Sequence, residues 1–334
     1  MDLTTHYMGL KLKNPLVASA SPLTADVAGI RRLEDAGAAA VVLPSLFEEQ
    51  IEADAQHYEH LATVTSDLNP EGPSYFPELS EYRVGPEKYL ELIEKAKKAV
   101  DIPVIASLNG MSGEGWVSYA KLMEQAGASG LELNVYFIPA DLSLTSHDVE
   151  QRYLDILKAV RAAVKIPIAV KLSPYFSSFG NMATQLVGAG ANALVLFNRF
   201  YQPDIDLEEV KLLTDLKLSE PDEIRLPLLW LAVLAGRVNA SLGATTGVKT
   251  AEEVVKYLLV GADTVMSTSA LLRNGPSHIT TLLEGLTTWM KEKEVTSLAK
   301  IRGQLSQKKV RDPKAFERAN YIKIIQGYEL PTSF

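Results

Sequence analysis

Apolar residues fall in two alternating rhythms along this chain. Stretches such as "GWVSYAKLMEQAG" and "VEQRYLDILKAVRAAV" repeat them at the helical interval, the mark of a helix with one buried stripe. Between these lie short runs that are apolar throughout, as strands buried on both faces of a parallel sheet are. Eight runs are predicted strands: Leu16–Ala20, Ala40–Pro44, Val104–Leu108, Leu131–Val135, Ile168–Leu172, Leu194–Asn198, Ala240–Gly243 and Thr264–Thr268.

The junctions repeat as well. "EDAGAAAVVLPS", "EQAGASGLELNV", "VGAGANALVLFN" and "LVGADTVMST" each stop a helical pattern at Gly-Ala and begin a strand, so Gly37, Gly127, Gly190 and Gly261 are read as helix C-terminal caps. "AVDIPVIAS" and "AVKIPIAVK" place Pro103 and Pro167 at the first position of a strand, where a missing amide hydrogen is tolerated. Strand-plus-helix units in this number and length predict an α/β fold, a TIM (β/α)8 barrel, with a doubly wound open sheet as the alternative. Glu48 to Gly85 and Arg199 to Pro227 break the repeat and are expected as long insertions after strands 2 and 6, on the face where barrels build their sites. The whole chain, 1–334, is expected to be one domain.

Composition narrows the function. At 47% hydrophobic and 22% charged the chain has the makings of a large core. It has no apolar run of the roughly 18 residues that cross a bilayer, and "MDLTTHYMGLKLKNP" lacks the order of a secretory signal, so a cytoplasmic protein without a membrane partner is expected. A net charge of −8 without lysine or arginine blocks argues against nucleic acid. The absence of cysteine excludes disulfides, thiolate-bound metals and a cysteine base. His57 and His60 are spaced by three residues but have no carboxylate set around them, so no metal site is expected.

Candidate chemistry lies at the predicted strand ends: Ala20 and Ser21, Ser45, Ser107 and Asn109, Asn134, Lys171, Asn198, Gly243, Thr245, Thr246 and Gly247, and Ser267, Thr268 and Ser269. Lys171 follows a buried apolar run, a costly place for a charge unless it meets an anion or a polar ligand. Asn109, Asn134 and Asn198 are carboxamides that together suit a flat heterocycle, although each alone suits a turn. "LGATTGVKTAEEV" and "MSTSALLRNGP" follow strands 7 and 8, where many barrels cradle a phosphate with amides, hydroxyls and a helix N-terminus.

Taken together, "NPLVASAS", "IPVIASLNG", "GASGLELN", "VKLSPY" and "TGVKTAEEVVKYLLVGADTVMSTSALLRNGP" resemble the FMN-dependent dihydroorotate dehydrogenases and the related flavin domain of dihydropyrimidine dehydrogenases. The resemblance spans nearly the whole chain, and the last block is its most specific part. It implies FMN as cofactor, with Lys171 by the flavin ring, where its charge favours the anionic reduced flavin. It implies Asn109, Asn134 and Asn198 on the ring or substrate, the backbone of Ala20 and Ser21 against the ring, and Thr246, Gly247, Thr268 and Ser269 on the phosphate. A homodimer is a further implication, since family members commonly dimerise.

The departures are specific. Where the family has a cysteine or serine base after the asparagine of strand 4, this chain has Phe137, beside Tyr136. Phenylalanine moves no proton, and Tyr136 serves as base only if its pKa falls far below its usual value of about 10. Ser143, Thr145 and Ser146 follow on the same loop. The lysine and serines of strand 2 are replaced by Leu43, Pro44 and Ser45, and the glycine-rich turn after strand 6 by "SEPDEIRLP". The substrate loop of the family has no counterpart around Asn69, Tyr75 and Phe76.

Three readings stay open at this point. One is an FMN-dependent oxidoreductase acting on CH–CH bonds, oxidising a dihydropyrimidine-like or other small substrate. Another is a diverged flavoprotein or accessory subunit of a redox system, without dihydroorotate dehydrogenase activity. The third is a barrel lyase or isomerase that uses Lys171 on a phosphorylated metabolite. Without on-chain iron–sulfur clusters, electrons would pass to a diffusing acceptor or a redox partner protein.

Overall fold

The computed structural model describes residues 1–48, 86–110, 113–200, 202–213, 216–317, 321 and 325–327. Eight parallel strands close a barrel in the order β3-β4-β5-β6-β7-β8-β11-β12. They are β3 (Leu16–Ala18), β4 (Ala40–Phe47), β5 (Val104–Asn109), β6 (Gly130–Asn134), β7 (Ile168–Leu172), β8 (Ala193–Leu196), β11 (Ser241–Ala244) and β12 (Thr264–Ser267). Helices α1 (Val27–Asp35), α2 (Pro86–Ala99), α3 (Gly113–Gln125), α4 (Ser146–Ala163), α5 (Phe179–Gly188), α6 (Arg225–Leu234) and α7 (Ala251–Val260) link successive strands. The chain then continues as α8 (Ser269–Asn274), α9 (His278–Glu292) and α10 (Leu298–Ile301). This is the TIM barrel that the two rhythms predict, and the capping glycines Gly37, Gly127, Gly190 and Gly261 all have positive φ.

The predicted strands match within a few residues, except that β4 runs past Pro44 to Phe47. Its pairing with β5 shifts register between Val42 and Ser45. The shift brackets Pro44, which has no amide hydrogen to give the ladder, so the strand bulges there and resumes. That bulge brings Ser45 opposite Ser107.

Side chains alternate across the barrel wall. Leu131, Leu133, Val170, Leu172, Leu194 and Leu196 belong to the larger core cluster, between strands and helices. Val17, Ala40, Val42, Ile105, Ala169, Ala193, Val195 and Met266 form a second cluster inside the barrel. By the same alternation Glu132, Asn134 and Lys171 point inward.

Two hairpins were not foreseen from the apolar runs. The first, β1 (Thr5–Tyr7) with β2 (Leu10–Leu12), closes the barrel floor. Its Tyr7, Met8 and Leu12 join the inner cluster, and Met8 N–H donates to Ser241 Oγ at 3.2 Å, at the start of β11. Gly130 leaves room for this plug, since a Cβ there would come within 2.8 Å of Met8 Cε. The second hairpin, β9 (Asp204–Asp206) with β10 (Lys211–Leu213), stands in the insertion after β8. Of the expected insertion after β4, only Glu48 falls within the described residues, so His57, His60, Asn69, Tyr75 and Phe76 lie outside them.

Candidate active site at the barrel mouth

Two cavities at the C-terminal ends of the strands hold the polar side chains, with a third of about 120 Å³ beside them against Tyr175 and Phe200. The larger, about 370 Å³, is lined by Ala20, Ser21, Ser45, Tyr89, Asn134, Lys171 and Asn198 with Pro22, Ala25, Pro44, Leu46, Phe47 and Leu92. The smaller, about 200 Å³, is lined among others by Thr245, Thr246, Gly247, Ser267, Thr268, Ser269, Ser219 and Arg199. Lys171 and Asn198 line both, so the two are lobes of one cleft. Most residues singled out in the sequence meet here. Asn109 and Gly243 are at strand ends as expected but do not line either lobe.

In the larger lobe the polar groups form one relay. Asn198 Nδ2 donates to Asn134 Oδ1 at 2.6 Å, Asn134 Nδ2 donates to Ser45 Oγ at 3.2 Å, and Ser45 Oγ and Ser107 Oγ are 2.8 Å apart. Behind it the Tyr89 hydroxyl donates to Ser107 O and accepts from Ser107 N–H. Burial, and then the Glu132 carboxylate, push the Tyr89 hydroxyl well above its usual pKa, against the pull of the Ser107 bond. Tyr89 is therefore a fixed neutral donor, not a base.

Lys171 is the one charged side chain on the wall of the larger lobe among the described residues. Its Nζ lies 3.5 Å from Glu132 Oε1, and the two side chains are 13% and 1% exposed. Nothing in the apolar pattern of "GLELN" had marked Glu132; the signal was a carboxylate inside a run otherwise buried on both faces.

In the smaller lobe Thr246 and Gly247 both have positive φ, turning the chain directly after β11. Ser219 from the β8 insertion reaches into this turn: its Oγ accepts from Gly247 N–H at 3.1 Å and lies 3.0 Å from Ser269 Oγ. Arg273 Nη1 donates to Ser219 O at 2.9 Å and holds the segment down. Ser267 Oγ, also on this wall, is buried without a hydrogen-bond partner among the described residues. Helix α8 has only six residues, so hydroxyls and backbone amides, more than a helix end, give this lobe its polarity.

The sequence profile of dihydroorotate dehydrogenase matches residues 82–290, which include the cleft residues from Tyr89 onward. The chain belongs to the dihydroorotate dehydrogenase family. It is 25% identical over 316 residues to the dihydroorotate dehydrogenase B (NAD(+)) catalytic subunit of Endomicrobium trichonymphae, covering 92% of this chain and 98% of that protein. It is 24% identical over 312 residues to the like-named protein of Methanocaldococcus jannaschii, covering 88% and 95%. A putative dihydroorotate dehydrogenase A (fumarate) of Aeropyrum pernix is 28% identical over 221 residues, 64% of this chain and 71% of that protein. The protein is thus an oxidoreductase of dihydroorotate dehydrogenase type, acting on CH–CH bonds. No helix among the described residues is long and apolar enough to cross a membrane, and no cluster of metal-ligating side chains is found among them.

In this family member the loop after β6 turns its aromatic rings away from the cleft. The Arg152 guanidinium sits 4.4 Å over the Phe137 ring, on the side of α4, and Tyr136 packs against Phe200 with ring centroids 4.5 Å apart. Neither lines the cleft. The hydroxyls that follow are exposed and engaged in local structure: Ser143 bonds Asp141, and Thr145 caps α4 through Asp148.

Proposed function

We propose that this protein is an FMN-dependent member of its family, with the flavin ring in the larger lobe and the phosphate in the smaller. The reading is carried by one observation: Lys171 and Asn198 line both lobes, so a molecule with a flat ring at one end and an anion at the other meets them midway. The residues present fit such a group. The cleft is of the size that small-molecule sites have, about 300 Å³ and upward, and the smaller lobe offers on Ser267 a buried hydroxyl without a partner among the described residues, beside the Thr246–Gly247 turn.

Bound there, FMN supplies the two-electron acceptor for oxidation of a CH–CH bond. Lys171 places a positive charge where negative charge develops on the ring, an interaction strengthened where water is excluded. Asn134 and Asn198, oriented by Ser45 and Ser107, present donors and acceptors in fixed directions. Ala20 and Ser21 close the opposite wall, and Thr246, Gly247, Thr268 and Ser269 hold the phosphate. The substrate class is a dihydropyrimidine or another small flat molecule, for which Pro44 and Phe47 offer apolar wall in the larger lobe. With no cysteine in the chain, electrons leave to a diffusing acceptor or to a redox partner protein. We place the protein in the cytoplasm as one domain that pairs as a homodimer, without nucleic-acid or membrane partners.

A second reading has its own support. Because Phe137 is turned to Arg152 and Tyr136 to Phe200, the strand that carries the family base brings no proton acceptor into the cleft. This favours a diverged flavoprotein that does not turn over dihydroorotate. The visible spectrum of the purified protein, with the released chromophore identified by mass, tests the FMN reading, and a colourless protein that takes up no added FMN refutes it. Anaerobic mixing with dihydroorotate and with other dihydropyrimidines separates the two readings, since only the first has the flavin bleach.

A further inference from the structure

An ammonium at a barrel mouth needs an anchor. Lys171 follows Val170 on β7, and its backbone neighbour across the sheet is Asn134 on β6. Two residues before Asn134, Glu132 projects into the same interior, its partners across the sheet being Ser107 on β5 and Ala169 on β7, in a barrel whose inner cluster is otherwise built of Val17, Val42, Ile105, Val195 and their apolar neighbours. An aliphatic side chain would suit that cluster. Removing a carboxylate from water costs several kcal/mol, and exchanging a buried ion pair for apolar packing is often neutral or stabilising. Glu132 is therefore poorly explained as a contribution to stability.

Its geometry points elsewhere. Glu132 Oε1 is 3.5 Å from Lys171 Nζ, and Oε2 has no hydrogen-bond partner among the described residues. The Tyr7 hydroxyl of the floor plug is buried in the same interior, also without a partner, and burial, with a smaller push from Glu132, raises it well above its usual pKa. Among the described residues the carboxylate's one ion pair is with the ammonium that lines both lobes.

We infer that Glu132 is a positioning residue for Lys171, holding the ammonium at the junction of the two lobes and offsetting part of its charge. The redox consequence rests on the FMN reading above; the placement of Lys171 does not. With Glu132 in place the pair presents a dipole to the ring. With a neutral side chain there, Lys171 presents a full charge and the anionic reduced flavin gains stability.

The test compares wild type with Glu132→Gln, Lys171→Met and the double variant, each checked for its melting temperature. In FMN-loaded protein, Glu132→Gln raises the midpoint potential, so that the reduced-to-oxidised ratio at a fixed potential rises about tenfold, ~30 mV for a two-electron couple. In the Lys171→Met background the same change has no further effect, because Glu132 acts through Lys171. An unchanged potential in Glu132→Gln, or an equal shift with methionine at 171, overturns the inference. The second readout needs no flavin: acylation of Lys171 in apoprotein, followed by peptide mass spectrometry, is about tenfold faster in Glu132→Gln, as the amine is released from a partner that orders and screens it. An unchanged acylation rate overturns the inference even if the protein binds no FMN, while faster acylation in a protein that refuses FMN sinks the FMN reading and leaves Glu132 in its role. Should Glu132→Gln fail to fold, Glu132→Asp keeps the charge one methylene farther away, and it must move both readouts in the same direction by less.

Discussion

Gly247→Ala tests the phosphate lobe at its tightest point. Gly247 has φ +71, and a Cβ built there lies 2.6 Å from Ile224 Cγ2 and 2.8 Å from the Glu220 carbonyl oxygen. A left-handed backbone costs an L-residue about 1 kcal/mol or somewhat more, and overpacking a close-fitted site about 1 to 3 kcal/mol. If the 219–224 segment stays seated, the folded state is therefore destabilised by about 2 to 4 kcal/mol. The alternative is for that segment to lift, which gives up the Gly247 N–H to Ser219 Oγ bond and its net worth of about 1 kcal/mol. Either response spoils the turn that faces the phosphate. Flavin binding followed by fluorescence quenching should show FMN weakened about tenfold or more, 1.4 kcal/mol per decade, with riboflavin, which has no phosphate, nearly unchanged. Equal losses for both ligands, or an unaltered FMN affinity in a variant whose melting temperature has dropped, would refute the assignment of this lobe to phosphate.

Three further outcomes are expected. Phe137→Ser gives no gain in dihydroorotate turnover, because position 137 faces Arg152 and not the cleft; a gain of tenfold or more in anaerobic stopped-flow would show that the loop swings inward. Ser45→Ala leaves Asn134 Nδ2 and the Ser107 hydroxyl short of a partner, so thermal unfolding should register a loss of about 1 to 3 kcal/mol, together with weaker flavin binding as the carboxamides lose their orientation. Asp148 is held below the usual carboxylate pKa of 3.8 by the Thr145 side chain and then by the Thr145 amide. A depressed folded-state value means stability present above the unfolded pKa and lost as pH falls through the folded one. The difference in melting temperature between wild type and Asp148→Asn should accordingly be present at neutral pH and vanish in acid below 3.8; a difference that persists there would exclude the carboxylate as its source.

The barrel was legible because its signals are local and repeated. Short continuous apolar runs set between helical stripes read as strands covered on both faces, and glycine after a helical stripe marks the turn back, so Gly37, Gly127, Gly190 and Gly261 punctuate the fold in the sequence itself. Lys171, Asn134 and Asn198 were legible for a related reason: a polar side chain at the end of such a run needs a polar destination. The β1–β2 plug was not, since strands of three residues carry too few positions for a period to show. Ser219 was missed because its importance comes from an insertion folding back on the turn after β11, a contact between residues 28 positions apart. Glu132 was missed for the opposite reason, being placed in the middle of a strand that its neighbours already explained.

The relay at the mouth bears on how the site selects its ligand. A carboxamide has two N–H donors and an oxygen with two lone pairs. Asn198 spends one N–H on Asn134, and Asn134 spends one N–H on Ser45 and one lone pair on Asn198, so each retains a donor and acceptor capacity aimed away from the relay. The protein has thus fixed both amide planes through bonds that no ligand need replace, which lowers the ordering cost of binding. A ligand that matches the remaining donors and acceptors gains their full worth, whereas one lacking them leaves buried polar groups unpaired, at about 1 to 3 kcal/mol each. Apolar contacts from Pro44, Leu46 and Phe47 supply area without direction, so discrimination among flat substrates falls to Asn134 and Asn198, and above all to the charge balance that Glu132 sets on Lys171.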